Sequence, residues 1–181
     1  MQNSSEPKYD VIVVGAGAAG MIAAITAARQ GKKTLLLEKL SKIGSKLKAT
    51  GGGRCNLTNT LSNEEFMTRF GRDGRFMTPA LNLFDYKALI AFFAEIGVES
   101  HAPDGYRVFP ISHSSLSVIT ALEEEIKRIG VTLVTSVRVE RLEHDGVHVR
   151  GVSTADQTYD APNVIIATGG LGYPQLGAEG D

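Results

Sequence analysis

One stretch near the N-terminus constrains the fold more than any other, because it joins two apolar segments through a glycine-rich turn and an alanine-rich segment. Val11–Val14 is a continuous β-branched run, typical of a strand buried on both faces of a sheet. Residues 18–30 are rich in alanine and predict a helix that Gly31 ends. Residues 33–37 predict a second apolar strand, which leads directly into Glu38. The stretch therefore predicts a β-α-β unit of a parallel sheet.

The turn inside this unit carries Gly15, Gly17 and Gly20 in G-x-G-x-x-G spacing. Glycines at these positions allow a tight turn, the approach of a pyrophosphate to the backbone, and close packing of helix on strand. The start of the helix offers N–H groups and a partial positive charge to phosphates. Glu38 follows Gly20 by eighteen residues, where a carboxylate can accept from a ribose. The pattern favours a dinucleotide site over a glycine turn in some unrelated β-α-β unit.

The segment after Glu38 differs from a simple NAD-binding domain, which continues into another crossover helix and a third strand. Residues 39–59 are basic, rich in glycine and without helical or strand periodicity. A loop this long inside a compact domain is usually functional or disordered. Its three consecutive glycines suit a backbone that lies against a ligand, Arg54 can neutralise a phosphate or an anionic flavin, and Asn56 can hydrogen-bond to a ring edge. The alternative is a flexible linker, for which Cys-Asn-Leu-Thr-Asn is a poor composition.

Several later segments carry secondary-structure patterns. The helices predicted are 64–69, a helix from an Asp85 N-cap through Ile96, and one that starts at Ser114 or Ser115 and ends before Gly130. The strands predicted are 131–142, 147–152 and 157–160. Residues 164–166 predict a buried parallel strand that breaks into Gly169 and Gly170, where a ligand can approach the backbone. The three strands predicted between residues 131 and 160 would form a small antiparallel insertion, which is not expected in a plain NAD domain.

These motifs together resemble one family of FAD-dependent oxidoreductases, known as aminoacetone oxidase-like or BaiN/RdsA-type NAD(P)/FAD-dependent oxidoreductases. The resemblance rests on the glycine turn, Glu38 and the run Ala-Thr-Gly-Gly-Gly-Arg-Cys-Asn-Leu-Thr-Asn at residues 49–59. Residues 104–112 are similar to the family's Gly-Arg-Val-Phe-Pro-x-Ser segment, although Tyr106 intervenes before Arg107. Residues 167–177 are similar to its Ala-Thr-Gly-Gly-x-x-Tyr-Pro-x-x-Gly continuation.

The resemblance implies an α/β fold of the glutathione-reductase type: a Rossmann-like FAD-binding domain with a parallel sheet, helices and a small antiparallel β insertion. Because family members are considerably longer, we expect residues 8–181 to be the N-terminal part of that domain, incomplete at its C-terminus. Residues 1–7 are polar and are expected to form a flexible tail. The missing C-terminal part of the parent chain would complete the wall around the flavin.

The residues expected to bind FAD lie at the glycine turn, at the ends of the parallel strands, in the glycine-rich loop and at the adenine position of the resembled fold. They are Gly15, Gly17, Ala18, Ala19, Gly20, Glu38, Lys39, Gly52, Gly53, Arg54, Cys55, Asn56, Val139, Ala167, Thr168, Gly169 and Gly170. No catalytic residue is predicted. No metal site is predicted either, since the four histidines and the single cysteine lack metal-like spacing.

Composition narrows the functional classes further. The net charge of -1 gives no general attraction to nucleic acid or to an anionic membrane. The single cysteine excludes a dithiol redox pair and suits a reducing compartment. With neither a signal-peptide pattern nor an apolar run long enough to span a bilayer, a cytoplasmic protein is expected.

Three functions stay open. The preferred one is the FAD-binding portion of a flavoprotein oxidoreductase that acts on a small organic substrate, with NAD(P)H as a candidate electron donor. The alternatives are an NAD(P)-binding Rossmann dehydrogenase domain and a non-catalytic nucleotide-binding module. Whether the 181-residue chain is active by itself is left open, since the protein's part in flavin chemistry is to position and tune the cofactor.

Overall fold

The computed structural model describes residues 7–172 and 174–176. The chain forms two compact units, the first made of Met1–Leu47 and Leu122–Asp181 and the second of Lys48–Ala121. Most of the predicted tail, residues 1–6, lies outside the described residues, as do residues 173 and 177–181, of which 173 and 177 belong to the family-like continuation. That residues 8–181 belong to one FAD-binding domain stays a prediction.

The strands and helices are numbered in chain order. The strands are β1 (Val11–Val14), β2 (Thr34–Leu37), β3 (Thr58–Asn59), β4 (Ser100–His101), β5 (Arg107–Pro110), β6 (Thr132–Val134), β7 (Arg141–His144), β8 (Val149–Ser153), β9 (Thr158–Asp160) and β10 (Asn163–Ile166). The helices are α1 (Ala18–Arg29), α2 (Ser45–Ala49), α3 (Asn63–Thr68), α4 (Thr78–Leu83), α5 (Tyr86–Glu95) and α6 (Ser115–Arg128). None of the helices among the described residues is long and apolar enough to cross a membrane.

The first unit is built on a parallel sheet with strand order β10-β1-β2-β6. Every residue of β1 and β2 is buried, as the continuous apolar runs predict for strands with neighbours on both sides. Helix α1 crosses from β1 to β2 and buries Gly20, Met21, Ala24 and Ile25. The predicted β-α-β unit is therefore confirmed, with its helix one residue shorter than expected.

Strand β10 corrects one expectation, because residues 164–166 were predicted to be buried. Val164 is half-buried, whereas Ile165 and Ile166 are exposed. The cause is position in the sheet: β10 pairs with β1 on one side and ends the strand order on the other. An apolar run indicates a strand, but it does not distinguish an edge strand from a central one.

A second, antiparallel sheet of the first unit has the order β7-β8-β9. The prediction of a single strand over residues 131–142 was wrong, since β6 belongs to the parallel sheet and β7 to the antiparallel one. Ser136 lies between them at a φ of +59°, outside the extended region. The backbone there turns toward the end of β2, where Ser136 N–H donates to Leu40 O at 3.0 Å and Val137 N–H to Glu38 O at 2.9 Å.

The second unit combines short helices with the antiparallel sheet β3-β5-β4. Helix α5 begins as predicted, with the Asp85 carboxylate accepting from Ala88 N–H at 2.8 Å. Helix α3 begins at a capping box between Ser62 and Glu65. Residues 39–59 are more regular than expected, because they include α2, a 3₁₀ turn at Thr50–Gly53 and β3.

Candidate dinucleotide-binding site

The carboxyl end of β1 meets the start of α1 at a turn in which two positions need glycine, each for a different physical reason. Gly15 has a φ of +100°, and a Cβ there would lie 2.6 Å from Ala167 O. A Cβ on Gly20 would lie 1.8 Å from Gly15 O, which no side chain tolerates without a backbone shift. The chain itself therefore requires glycine at both positions, one for the turn and one for the close packing of helix on strand.

Gly17 differs from its two neighbours in the motif. Its φ of -77° and ψ of -175° are open to any residue. A Cβ built on Gly17 would have no heavy atom within 4 Å. Neither the backbone conformation nor protein packing requires a glycine here, and the space in front of Gly17 is open.

The amino end of α1 adds an electrostatic reason to the empty space. Gly17 is the N-cap and offers no side-chain acceptor to the first-turn amides, and that turn carries no acidic residue. Ala18 and Ala19 are exposed and add only a methyl group each. The helix therefore presents N–H groups that no side chain of its first turn caps, together with a partial positive charge, an arrangement that favours a phosphate.

Glu38 lies at the carboxyl end of β2, next to the glycine turn, and is held by two backbone groups. Its Oε2 accepts from Ala16 N–H at 2.7 Å, and its Oε1 accepts from Leu40 N–H at 2.9 Å. Each carboxylate oxygen keeps acceptor capacity for a further donor. Glu38 thus ties the ends of β1 and β2 together and remains able to accept from hydroxyl groups. The structural part of this role was missed by sequence reasoning.

The end of β10 lies beside the turn. Ala167 N–H donates to Val14 O at 2.8 Å, and Thr168 Cα would be 3.2 Å from a Cβ on Gly15. Gly169 and Gly170 follow and are exposed. Lys46, which was not among the predicted site residues, points its amine here, because Nζ lies 2.8 Å from the position of a Cβ on Gly169. The basic composition of residues 39–48 was a signal for it, but did not single out one lysine.

Two more predicted residues belong to the first unit. Lys39 follows Glu38 and is half-buried. Val139 lies between β6 and β7 rather than inside a strand, and its half-buried side chain packs on the cluster that includes Val14, Leu37 and Val152. Its side chain therefore serves the core, so a contact with adenine would have to come from its backbone.

The other predicted residues, Gly52, Gly53, Arg54, Cys55 and Asn56, belong to the second unit. Gly52 and Gly53 have φ values of +65° and +87°, so their own backbone conformation accounts for glycine. The exposed Arg54 guanidinium lies over the Phe109 ring, 5.3 Å from its centroid. With its amide nitrogen turned toward two carbonyls, Asn56 donates to Thr58 O at 2.9 Å and Val108 O at 3.2 Å.

Cys55 does not have the surroundings of a reactive thiol. It is fully buried at a φ of +59°, and burial raises the pKa of its thiol despite an opposing hydrogen bond with Thr50. The thiolate is the reactive form of cysteine, and a raised pKa disfavours it. Across the described residues, no group of three or more histidine, cysteine or acidic side chains is arranged to hold a metal ion.

A parallel sheet with a glycine turn, a helix N-terminus and an acid at the end of the second strand defines a dinucleotide-binding Rossmann-type protein. The sequence matches the family described as HI0933-like protein Rossmann domain over residues 9–181. The chain belongs to this family, whose Rossmann domain binds FAD. The predicted family resemblance, fold class and cofactor are thereby confirmed.

Relatives of known activity match nearly all of this chain. It is 38% identical to a 3-dehydro-bile acid delta(4,6)-reductase of Clostridium scindens, over 93% of this chain and 41% of that protein. It is 31% identical to a ribosomal RNA dihydrouridine synthase of Haemophilus influenzae, over 92% of this chain and 42% of that protein. The chain thus spans about two-fifths of the length of these relatives.

A solved structure supports the fold. The 3-ketosteroid-delta4-(5alpha)-dehydrogenase of Rhodococcus jostii RHA1 superposes with a TM-score of 0.68 at 20% identity, over 96% of this chain and 48% of that chain. At this identity, the likeness shows a shared Rossmann-like architecture.

Proposed function

We propose that the first unit holds the adenosine diphosphate half of FAD at the glycine turn, as part of a flavoprotein oxidoreductase. The observation that carries this proposal is Gly17, a glycine with an ordinary backbone conformation and no heavy atom within 4 Å of its Cβ position. A pyrophosphate lying against this backbone would need that space and would explain why a side chain is absent.

The surrounding groups fit the parts of the cofactor in turn. The N–H groups of Ala18 and Ala19 would face the pyrophosphate, and the Lys46 amine beside Gly169 would add a positive charge. Glu38, already oriented by two backbone amides, would accept from the adenosine ribose. Lys39, Val139, Ala167, Thr168 and Gly170 complete the proposed set in this unit, with Val139 contributing its backbone next to the adenine.

Bound FAD would supply the redox chemistry, and the residues of this chain would bind and orient it. For the flavin side we keep the second-unit residues predicted from the sequence: Gly52, Gly53, Arg54, Cys55 and Asn56. Among them Arg54 is the one with an exposed charge. The buried Cys55 thiol is better suited to packing than to electron transfer.

A small organic substrate, a cytoplasmic location and NAD(P)H as electron donor belong to the same proposal. The Clostridium scindens relative is named for a bile acid, a small molecule, whereas the Haemophilus influenzae relative is named for ribosomal RNA. The near-neutral charge of this chain favours the small molecule, because RNA binding relies on clustered positive charge. Fluorescence anisotropy of labelled RNA at low salt tests this, and tight RNA binding would overturn the choice.

The experiment that tests the cofactor site is the visible absorption spectrum of the purified 181-residue chain before and after excess FAD, followed by desalting. We expect flavin absorbance to stay with the protein, and ADP to displace FAD competitively because both would use the same pyrophosphate site. Retention of NAD⁺ in place of FAD would favour an NAD(P)-dependent dehydrogenase domain. FAD retention with no reduction by any donor would favour a non-catalytic nucleotide-binding module.

A further inference from the structure

Two histidines of the second unit bring their ring nitrogens together. His101 Nε2 and His113 Nε2 lie 2.9 Å apart. The ring centroids are 4.8 Å apart, and the ring planes meet at 77°. Because the nitrogens are closer to each other than the centroids are, both Nε2 atoms lie on the facing edges of the two rings. Their lone pairs can therefore be directed toward a common point.

The backbone of the second unit sets this separation. His101 ends β4, which pairs with β5 so that His101 is opposite Phe109. The pairing continues past the end of β5, where Ile111 N–H donates to Glu99 O at 2.9 Å. His113 N–H then donates to Pro110 O at 2.9 Å, and His113 has a φ of +49°. Histidine is one of the few residues other than glycine that are enriched in this region, and the turn sets the direction of the His113 Cα–Cβ bond.

The two nitrogens are close enough for both to bind one ion. Metal–imidazole bonds of about 2.0–2.1 Å with nitrogens 2.9 Å apart give an N–metal–N angle of roughly 90°. A tetrahedral ion would need the nitrogens roughly 3.3 Å apart at the same bond length. An angle near 90° suits the square-planar or tetragonal sites of Cu²⁺ and Ni²⁺. Among divalent first-row ions, Cu²⁺ also binds nitrogen ligands most tightly.

The surroundings leave the pair open to an ion and to water. Both histidines are exposed, so metal binding does not require the removal of a buried side chain from its contacts. Two positive charges lie nearby, because the guanidinium groups of Arg54 and Arg107 lie over the Phe109 ring. The charge of Arg107 is paired with the Asp104 carboxylate, with Nε 2.6 Å from Oδ2. Since no third protein ligand joins the pair among the described residues, water would complete the coordination.

We propose that His101 and His113 form a two-nitrogen chelating site for a divalent transition-metal ion, with Cu²⁺ preferred over Zn²⁺. A bound ion would cross-link β4 to the segment that follows β5. In the metal-free protein the same two nitrogens share one hydrogen bond, in which one ring donates and the other accepts.

The test is a titration of the full 181-residue chain with Cu²⁺, Ni²⁺ and Zn²⁺, carried out by calorimetry and, for Cu²⁺, by electron paramagnetic resonance. We expect one Cu²⁺ per chain with superhyperfine coupling to two nitrogens, and weaker binding of Zn²⁺ than of Cu²⁺. His101→Ala and His113→Ala should each lower the Cu²⁺ affinity by at least about tenfold, since even changes outside the ligand shell cost that much.

The chain offers a matched control in His148, which is exposed in the β7–β8 turn. His148→Ala should leave Cu²⁺ binding and its spectrum unchanged. Circular dichroism of all three variants should match the parent chain, because the altered side chains are exposed. Equal Cu²⁺ affinity in the parent, His101→Ala and His113→Ala would overturn the proposal, as would Zn²⁺ binding as tightly as Cu²⁺.

Discussion

The chain contains two glycine clusters, one in each unit, and they require glycine for different reasons. In Gly51–Gly53 all three residues have positive φ values, from +58° to +87°. In the turn from Gly15 to Gly20, Gly15 alone has a positive φ, Gly20 is packed against backbone, and Gly17 has neither constraint. A run of glycines at positive φ is explained by its own turn, whereas Gly17 leaves the backbone open to the ligand that we propose.

This difference affects how a glycine motif should be interpreted. The triple glycine looked like the stronger ligand signal in the sequence, because three consecutive glycines are costly to order. In the structure, its backbone conformation accounts for the residues without any ligand. Of the glycines in the two clusters, Gly17 carries the functional argument, and comparing variants of the two clusters separates folding from binding.

The largest effect on stability is expected for Gly20→Ala. The new methyl group would overlap Gly15 O, 1.8 Å from the Cβ position, so helix and strand would have to move apart. We expect a loss of about 3 kcal/mol or more in the free energy of unfolding, from overpacking that outweighs the better helix propensity of alanine. Chemical denaturation measures it. The control is Gly17→Ala, and equal stability of the two variants would contradict the packing argument.

A smaller and graded effect is expected in the second cluster. Gly52→Ala should cost about 1–2 kcal/mol, since alanine is forced into the left-handed region but meets no neighbouring atom. Gly51→Ala should cost more, because its Cβ would also lie 2.9 Å from Asn56 N. Denaturation midpoints rank the pair. If the two variants are equally stable, the contact with Asn56 adds nothing.

An effect similar in size to that of Gly52→Ala is expected for Glu38→Gln. A glutamine has one acceptor oxygen, so it cannot serve Ala16 N–H and Leu40 N–H as the two carboxylate oxygens do. Because Ala16 is fully buried, losing its acceptor should cost about 1–2 kcal/mol of unfolding free energy, in addition to weaker FAD binding. The exposed Glu124→Gln is the control. Unchanged stability with weaker FAD binding would mean that Glu38 acts on the ligand alone.

The strands and helices that depend on their own residues, rather than on their place in a sheet, were predicted correctly from the sequence. The β-branched run of Val11–Val14, the alanine-rich α1 and the N-cap at Asp85 all formed as predicted. The break at Ser136 was missed, because apolar residues recur at strand-like intervals on both sides of it while the chain passes from one sheet to another. The exposure of β10 was missed because it depends on which strand ends the sheet.

In the candidate site, too, the residues placed by local sequence were predicted and those placed by strand pairing were missed. The glycine spacing and Glu38 were readable because they stand in one β-α-β unit, where sequence distance fixes position in space. Lys46 was not separable from the lysines around it, since its approach to Gly169 depends on where β10 pairs. The pairing of His101 with His113 depends on the β4–β5 register and on a positive φ at His113, and residue spacing encodes neither.

The central claim is that the space in front of Gly17 is for a cofactor, and Gly17→Ser tests it most directly. Serine is at least as good an N-cap as glycine, so the free energy of unfolding should change by no more than about 0.5 kcal/mol. The added side chain would occupy the place of the pyrophosphate, and the affinity for FAD should fall by roughly a hundredfold or more, about 2.7 kcal/mol. Spectroscopic titration with FAD and chemical denaturation, run on the same preparation, give both numbers. Unchanged FAD affinity in a stable Gly17→Ser chain would contradict the account.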